Sequence, residues 1–181
     1  MHSPAPNMTP DLTREKILHA AAAEIHRQGF QAASIAHILA STGLTKGALY
    51  HHFPSKQVLG LAVVDEVIRS GLEERLFTPL SEAVDPLDTL LAYMDRRIRD
   101  LTDDAFELGC PLNNLVQEMS PVDEAFKTQL DQILQTWQSV IEQTLITGQA
   151  QNRIRQEVDC EAAAMFIVSA WEGCWGMAKN R

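Results

Sequence analysis

The chain has 181 residues, 45% hydrophobic and 22% charged, a balance that buries a core as one or two small domains and excludes intrinsic disorder. No apolar run approaches the ~18–20 residues of a spanning helix, and Met1 to Pro10 has no basic stretch followed by an apolar one, so a soluble cytoplasmic protein is expected. The cysteines, Cys110, Cys160 and Cys174, form no Cys-x-x-Cys pair, which excludes a disulfide-stapled secreted fold; no metal and no cofactor are expected.

The formal net charge of -9 argues against a nucleic-acid partner only as an average. Thr13 to Lys56 carries five basic residues against two acidic ones and five of the six histidines, whereas Gln57 to Arg181 holds ten Lys/Arg against twenty-one Asp/Glu. The charge pattern therefore predicts two modules of opposite character.

Met1 to Pro10 reads as a disordered arm. From Asp11, the apolar spacing of Ile17, Ala20, Ala21, Ile25 predicts a helix that Gly29 stops. Ser34 caps a short second helix with the stripe Ile35, Ile38, Leu39, ended by Thr42-Gly43; Thr45 caps a third, with Leu49 and Phe53 inward and Pro54 closing it. Ser55 caps a long fourth helix followed through Ser70. Helical segments continue past Thr78-Pro79, at Leu87 to Leu101, Pro111 to Met119, Pro121 to Gly148 and Glu161 to Ala178. No alternating β-branched run interrupts them, so the fold is expected to be all-α: a disordered arm at 1–10, a helix-turn-helix domain at 11–56 and a ligand-binding and dimerisation domain at 57–181.

Two short helices joined by a tight turn at Gly43 form a helix-turn-helix, whose second helix fits the DNA major groove. Leu44 and Leu49 point inward, and the outer face presents Thr45, Lys46, Ala48, Tyr50, His51 and His52. Gly47 lets backbone approach a phosphate or base closely.

The residues Thr13-Arg14-Glu15-Lys16-Ile17-Leu18, Gly29-Phe30, Ser34 and the run Gly43 to Lys56 closely resemble the DNA-binding domain of the tetracycline-repressor (TetR) family. The resemblance implies phosphate contacts from Ser34, Thr45, Tyr50, His51 and Lys56 and base-edge positions for Lys46, Gly47 and Ala48, with His52 able to serve either role. Leu39 stands where members usually carry a small residue at the helix crossing. Tyr50 has the alternative of a partly buried core residue, and His51-His52 that of a solvated pair.

The resemblance further implies a homodimer on a palindromic double-stranded operator, released by a small apolar effector held among the C-terminal helices. Trp137, Met165, Phe166, Trp171, Trp175 and Met177 are either apolar liners of that cavity or ordinary core, and Asn113, Asn114 and Gln117 are candidate polar anchors. The small residues Ala162-Ala163-Ala164, Ser169-Ala170, Gly173 and Gly176 suit a helix-helix dimer seam. Relatives usually add a further C-terminal helix to that seam, and this sequence ends at Lys179-Asn180-Arg181.

Gly109 to Leu115 resembles a subgroup of the family in which some relatives sense electrophiles or oxidants through a cysteine. Cys110, at a helix start that lowers a thiol pKa, is therefore a rival sensor; the other reading, which Asp103, Asp104 and Glu107 favour by opposing its ionisation, is a buried, inert cysteine. No phosphate loop, Gly-x-Ser-x-Gly elbow or His-Glu-x-x-His pair supports an enzyme. The basic N-terminal segment speaks against a protein-protein adaptor that has lost DNA binding. The expected function is a ligand-responsive transcriptional regulator, most often a repressor in this family.

Overall fold

The computed structural model describes residues 10–179, and every regular element among them is helical. The expected Met1 to Pro10 arm lies outside the described residues except for Pro10, which opens α1 (Pro10–Gln28). α2 (Ile35–Thr42) and α3 (Lys46–His52) follow, and α4 spans residues 56–82. Then come α5 (Pro86–Arg99), α6 (Asp103–Leu108), α7 (Pro111–Met119), α8 (Glu124–Ala150) and α9 (Cys160–Ala178).

α4 runs further than its apolar stripe predicts. α-Helical Lys56–Ala62, Ser70–Leu72 and Thr78–Glu82 alternate with π-helical Val63–Arg69 and Glu73–Phe77 without a break. Pro79 does not end the helix, because it falls in the first turn after a π segment, where the wider winding accommodates a residue lacking an N–H. α6 was not foreseen; Thr102 caps it through Ala105 N–H at 3.2 Å. α8 starts at Glu124 rather than Pro121, because Asp123 accepts the N–H groups of Ala125 and Phe126.

The chain packs as two compact units that divide between Val67 and Ile68. In the first, Ile17, Leu18, Ala21 and Ile25 form one buried stripe of α1, and α2, α3 and the start of α4 pack against it. In the second, α8 buries Phe126, Leu130, Ile133, Trp137 and Ile141 against its neighbours, chiefly α9. Each such side chain contributes about 1.5–3 kcal/mol.

The turn between α8 and α9 is fastened at both ends. A Cβ at Gly148 would lie 2.8 Å from Ile154 Cδ1, so a side chain there would have to displace the end of Ile154. Arg153 pairs with Asp85, the N-cap of α5, and with Asp88 at 2.6 Å.

Candidate nucleic-acid interface

The helix-turn-helix is set by three local devices. Ser34 caps α2 by accepting His37 N–H at 3.5 Å, while its own N–H donates to Glu24 of α1 at 3.1 Å; the same Glu24 oxygen lies 3.1 Å from His37 Nδ1. The turn is held by Thr42, a buried residue whose hydroxyl donates to the carbonyls of Ile38 and Leu39 and accepts Leu44 N–H at 3.4 Å. Gly43 follows at φ +67°, a left-handed conformation that glycine adopts without strain, and its N–H donates to Leu39. Thr45 then caps α3 by accepting Ala48 N–H at 3.2 Å.

Leu49 and Phe53 anchor α3 in the core, with Leu44 only half-buried. The opposite face is open. Thr45, Lys46, Gly47, Tyr50 and His51 are exposed, and Ala48 and His52 half-buried. Lys46 Nζ lies 5.8 Å from the centre of the Tyr50 ring one turn on, and the His51 and His52 rings meet edge-on at 5.1 Å. A Cβ at Gly47 would meet only Thr45 Oγ1, at 3.9 Å, so that surface is free of protein. Leu39 is half-buried and Ala40 exposed at the back of α2.

Lys56, expected on a phosphate, starts from α4 and reaches back to the turn after α1. Its Nζ donates to Gln31 O at 2.9 Å and lies 5.1 Å from the Phe30 ring centre. Ser34 and Thr45 spend their oxygens on helix caps, and each keeps a hydroxyl proton able to donate to a phosphate. Behind the face, Arg14 pairs with Glu66 through two contacts of 2.6 Å and lies 5.0 Å from the Phe53 ring centre. The hydrogen bonds raise the Arg14 pKa and hold Glu66 below the usual carboxylate range.

A family model described as bacterial regulatory proteins of the tetR family matches residues 17–63, and a tetracyclin repressor-like C-terminal domain matches residues 86–180. An HTH-type transcriptional regulator of the lacX 3' region of Lactococcus lactis is 36% identical over 75% of this chain and 70% of its own length. The chain belongs to the TetR family.

The transcriptional repressor DhaR of Mycobacterium sp. strain GP1 is 29% identical over 81% of this chain and 72% of its own. A regulatory protein TetR from Rhodobacter sphaeroides superimposes with a TM-score of 0.83 at 26% identity, covering 93% of this chain and 89% of that one. TetR-family proteins are ligand-responsive DNA-binding repressors, and this chain is a DNA-binding transcriptional regulator.

The residues expected to hold an effector divide into three sets. Trp137 and Trp171 border one small void of about 10 Å³, together with Leu76, Leu90, Tyr93 and Val168. Met165 and Phe166 instead lie on the outer face of α9, 52% and 72% exposed, because the helical period turns Ala164, Val168, Glu172 and Trp175 inward. Phe166 borders an apolar surface groove of about 480 Å³ with Ile98, Phe106, Trp171 and Cys174.

Two of the three expected polar anchors, Asn113 and Asn114, are engaged in holding the fold. Asn113 donates to the Glu172 carbonyl at 3.2 Å, and Asn114 donates to Leu108 O while accepting from Lys179 Nζ at 2.9 Å. Gln117 is exposed.

Cys110 sits at the N-cap of α7, yet burial and the nearby Glu172 carboxyl push its thiol up to about 12, outweighing the backbone N–H groups of Leu112 and Asn113. Burial thus acts against the depression expected from the helix start. The opposing acid is Glu172, to which the thiol donates at 3.4 Å. Glu172 went unrecognised as a functional candidate. Its sequence signal was a single acid within the apolar run from Ala162 to Trp175.

Among the described residues, no group of three His, Cys, Asp or Glu side chains is placed to hold a metal, and no helix is long and apolar enough to cross a membrane.

Proposed function

We propose that the protein is a cytoplasmic, homodimeric repressor that holds a palindromic operator and leaves it when a small effector occupies the second unit. The observation that carries the reading is the α3 face: a cap-fixed, core-anchored helix that exposes Thr45, Lys46, Gly47, Tyr50 and His51. On that face Lys46, Gly47 and Ala48 are the base-reading positions. Ser34, Thr45, Tyr50, His51 and Lys56 serve the phosphates, and His52 serves either. With Lys46 the sole long donor among the base readers, part of the specificity comes from DNA shape.

Dimerisation is supported by α9, whose outer face carries Ala162, Met165, Phe166, Ser169, Gly173 and Met177 exposed. Apolar and small side chains in one stripe suit a second helix packing closely on it. A C2 pair of subunits then presents two α3 helices to successive major grooves. The effector reading is supported by the match of residues 86–180 to a tetracyclin repressor-like C-terminal domain, and the acidity of residues 57–181 keeps DNA on the basic module.

Selection of duplexes from a random pool by the purified full chain tests this. Enrichment of an inverted repeat, bound with an affinity that falls steeply with salt, is the expected result. A pool that stays random under those conditions refutes the reading.

A further inference from the structure

Between the C-terminal half of α5, α6 and α9 lies an open trough of about 480 Å³, walled by Ile98 of α5, Leu101 just after it, Phe106 of α6 and Ile167, Trp171 and Trp175 of α9. Small-molecule sites in proteins hold roughly 300–1,000 Å³ and are mostly apolar with a few polar groups. Ile98, Phe106 and Phe166 stand exposed around the trough, so three large apolar side chains converge on one hollow instead of being scattered. On α9 its wall is turned by about a quarter of a helical turn from the stripe of Ala162, Met165, Ser169 and Gly173, with Phe166 at the edge of both.

The trough has one charged lining residue, Arg97, and no acid among the rest. Arg97 is half-buried; its guanidinium lies 5.6 Å from the Trp175 ring centre and makes no hydrogen bond or ion pair among the described residues. Arg99, in the same last turn of α5, is committed to Asp95. A guanidinium presents its N–H groups as a planar fork that a carboxylate meets with two bonds. Held against an indole at the edge of an apolar wall, it is partly shielded from water, and an anion pairs with it more strongly than in the open. A cation meets like charge there, and an alcohol gains only one weaker bond.

We propose that this trough takes a small amphipathic carboxylate, its aromatic or aliphatic body lying against Phe106, Trp171 and Trp175 and its carboxylate accepting from the Arg97 guanidinium at the rim. The assignment rests on the effector reading above and gives it a place and a ligand class. Met94, which also borders the trough, is flexible enough to adapt it to the ligand body.

Calorimetric titration of the full chain with 4-phenylbutanoate, 4-phenylbutan-1-ol and 4-phenylbutylammonium tests the class. The carboxylate binds at least about fivefold more tightly than either, and Arg97→Gln removes that advantage while leaving the alcohol unchanged. Ala170→Phe, which fills the trough from α9, weakens the carboxylate and the alcohol together. Thermal melting reports whether each variant folds. Should Arg97→Gln fail to fold, Arg97→Lys serves in its place: it keeps the charge, loses the fork and narrows the advantage.

Equal binding of the alcohol or the ammonium, an undiminished carboxylate advantage in folded Arg97→Gln, an unchanged carboxylate affinity in folded Ala170→Phe, or no carboxylate binding by folded wild type overturns the proposal. Sedimentation covers the other occupant: a monomeric Ala170→Phe, with a dimeric wild type that binds none of the three probes, assigns the trough to a second copy of the chain and overturns it likewise. Operator release is read separately by fluorescence anisotropy on the selected duplex. Carboxylate that binds without releasing DNA refutes the effector reading and leaves the site and its ligand class standing; release by another compound, without carboxylate binding, does the reverse.

Discussion

Arg14 and Glu66, fifty-two positions apart, meet through two parallel hydrogen bonds of 2.6 Å that fasten the first turns of α1 to the π-helical part of α4. Both side chains are more than a third exposed, so solvent screening limits the pair to about 0.2–1 kcal/mol. Because Glu66 is held below the usual carboxylate range, its contribution is present above the unfolded-state pKa and is lost as pH falls through the lower folded value. Arg14→Met is therefore expected to lower the melting temperature by up to ~4 °C at neutral pH. The difference from wild type shrinks toward zero in strong acid. A deficit that persists below the range in which carboxylates titrate would assign the effect to the Phe53 contact instead.

Lys46 and Lys56 separate the two modes of reading DNA. Lys46 points out from α3 against Tyr50, whereas Lys56 is already held by Gln31 O and the Phe30 ring. Lys46→Ala is expected to broaden the motif recovered from a random pool. Lys56→Ala keeps the motif, weakens binding on every sequence and reduces the salt slope by about one. Identical motifs from both variants would remove Lys46 from base reading.

The helix-turn-helix was legible because its signals are local. Ser34, Gly43, Thr45 and Ser55 each act on residues within four positions, so their caps follow from residue type and spacing. Glu24 and Arg14 act across 10 and 52 positions, and nothing in their own segments names their partners. The run of α4 through Pro79 was hidden for a related reason: proline reports the cost of an α turn and says nothing of a π turn before it. On α9, residue type suggested that Met165 and Phe166 line a cavity, and only the helix phase set by Ala164 and Val168 turns them outward.

Gly43 and Thr45 carry the turn by different physics and respond differently to substitution. A Cβ at Gly43 meets no atom within 4 Å, yet φ is +67°, so Gly43→Ala costs about 1–2 kcal/mol through backbone strain alone. Thr45→Ser keeps the cap, and Thr45→Ala loses about 1 kcal/mol with the bond to Ala48 N–H. Chemical denaturation of the three variants checks the order; a neutral Gly43→Ala would mean that the turn relaxes out of the left-handed region.

Gly173 distinguishes folding from assembly. A Cβ there meets no atom of its own chain, and leucine is the better helix former, so Gly173→Leu leaves the single chain at least as stable as wild type. On a close helix-helix seam the same side chain forces the partners apart. Sedimentation is expected to show a wild-type dimer and a Gly173→Leu monomer, with operator affinity falling because the two half-sites no longer act together. A dimer unaffected by Gly173→Leu would move the seam off this face of α9.

Cys110 decides whether oxidation is a route to DNA release. With its thiol pushed up to about 12, first by burial and then by Glu172, the thiolate fraction at neutral pH is of the order of 10⁻⁵, and thiolate is the reactive form. Iodoacetamide labelling of Cys110, followed by mass spectrometry, should accelerate nearly tenfold per pH unit through the neutral and mildly alkaline range without a plateau. Glu172→Gln removes the second cause and shifts that profile toward lower pH. Peroxide is accordingly expected to release operator no faster from wild type than from Cys110→Ser. A labelling plateau near neutral pH, together with peroxide release that Cys110→Ser abolishes, would instead establish a reactive thiolate that the present geometry disfavours.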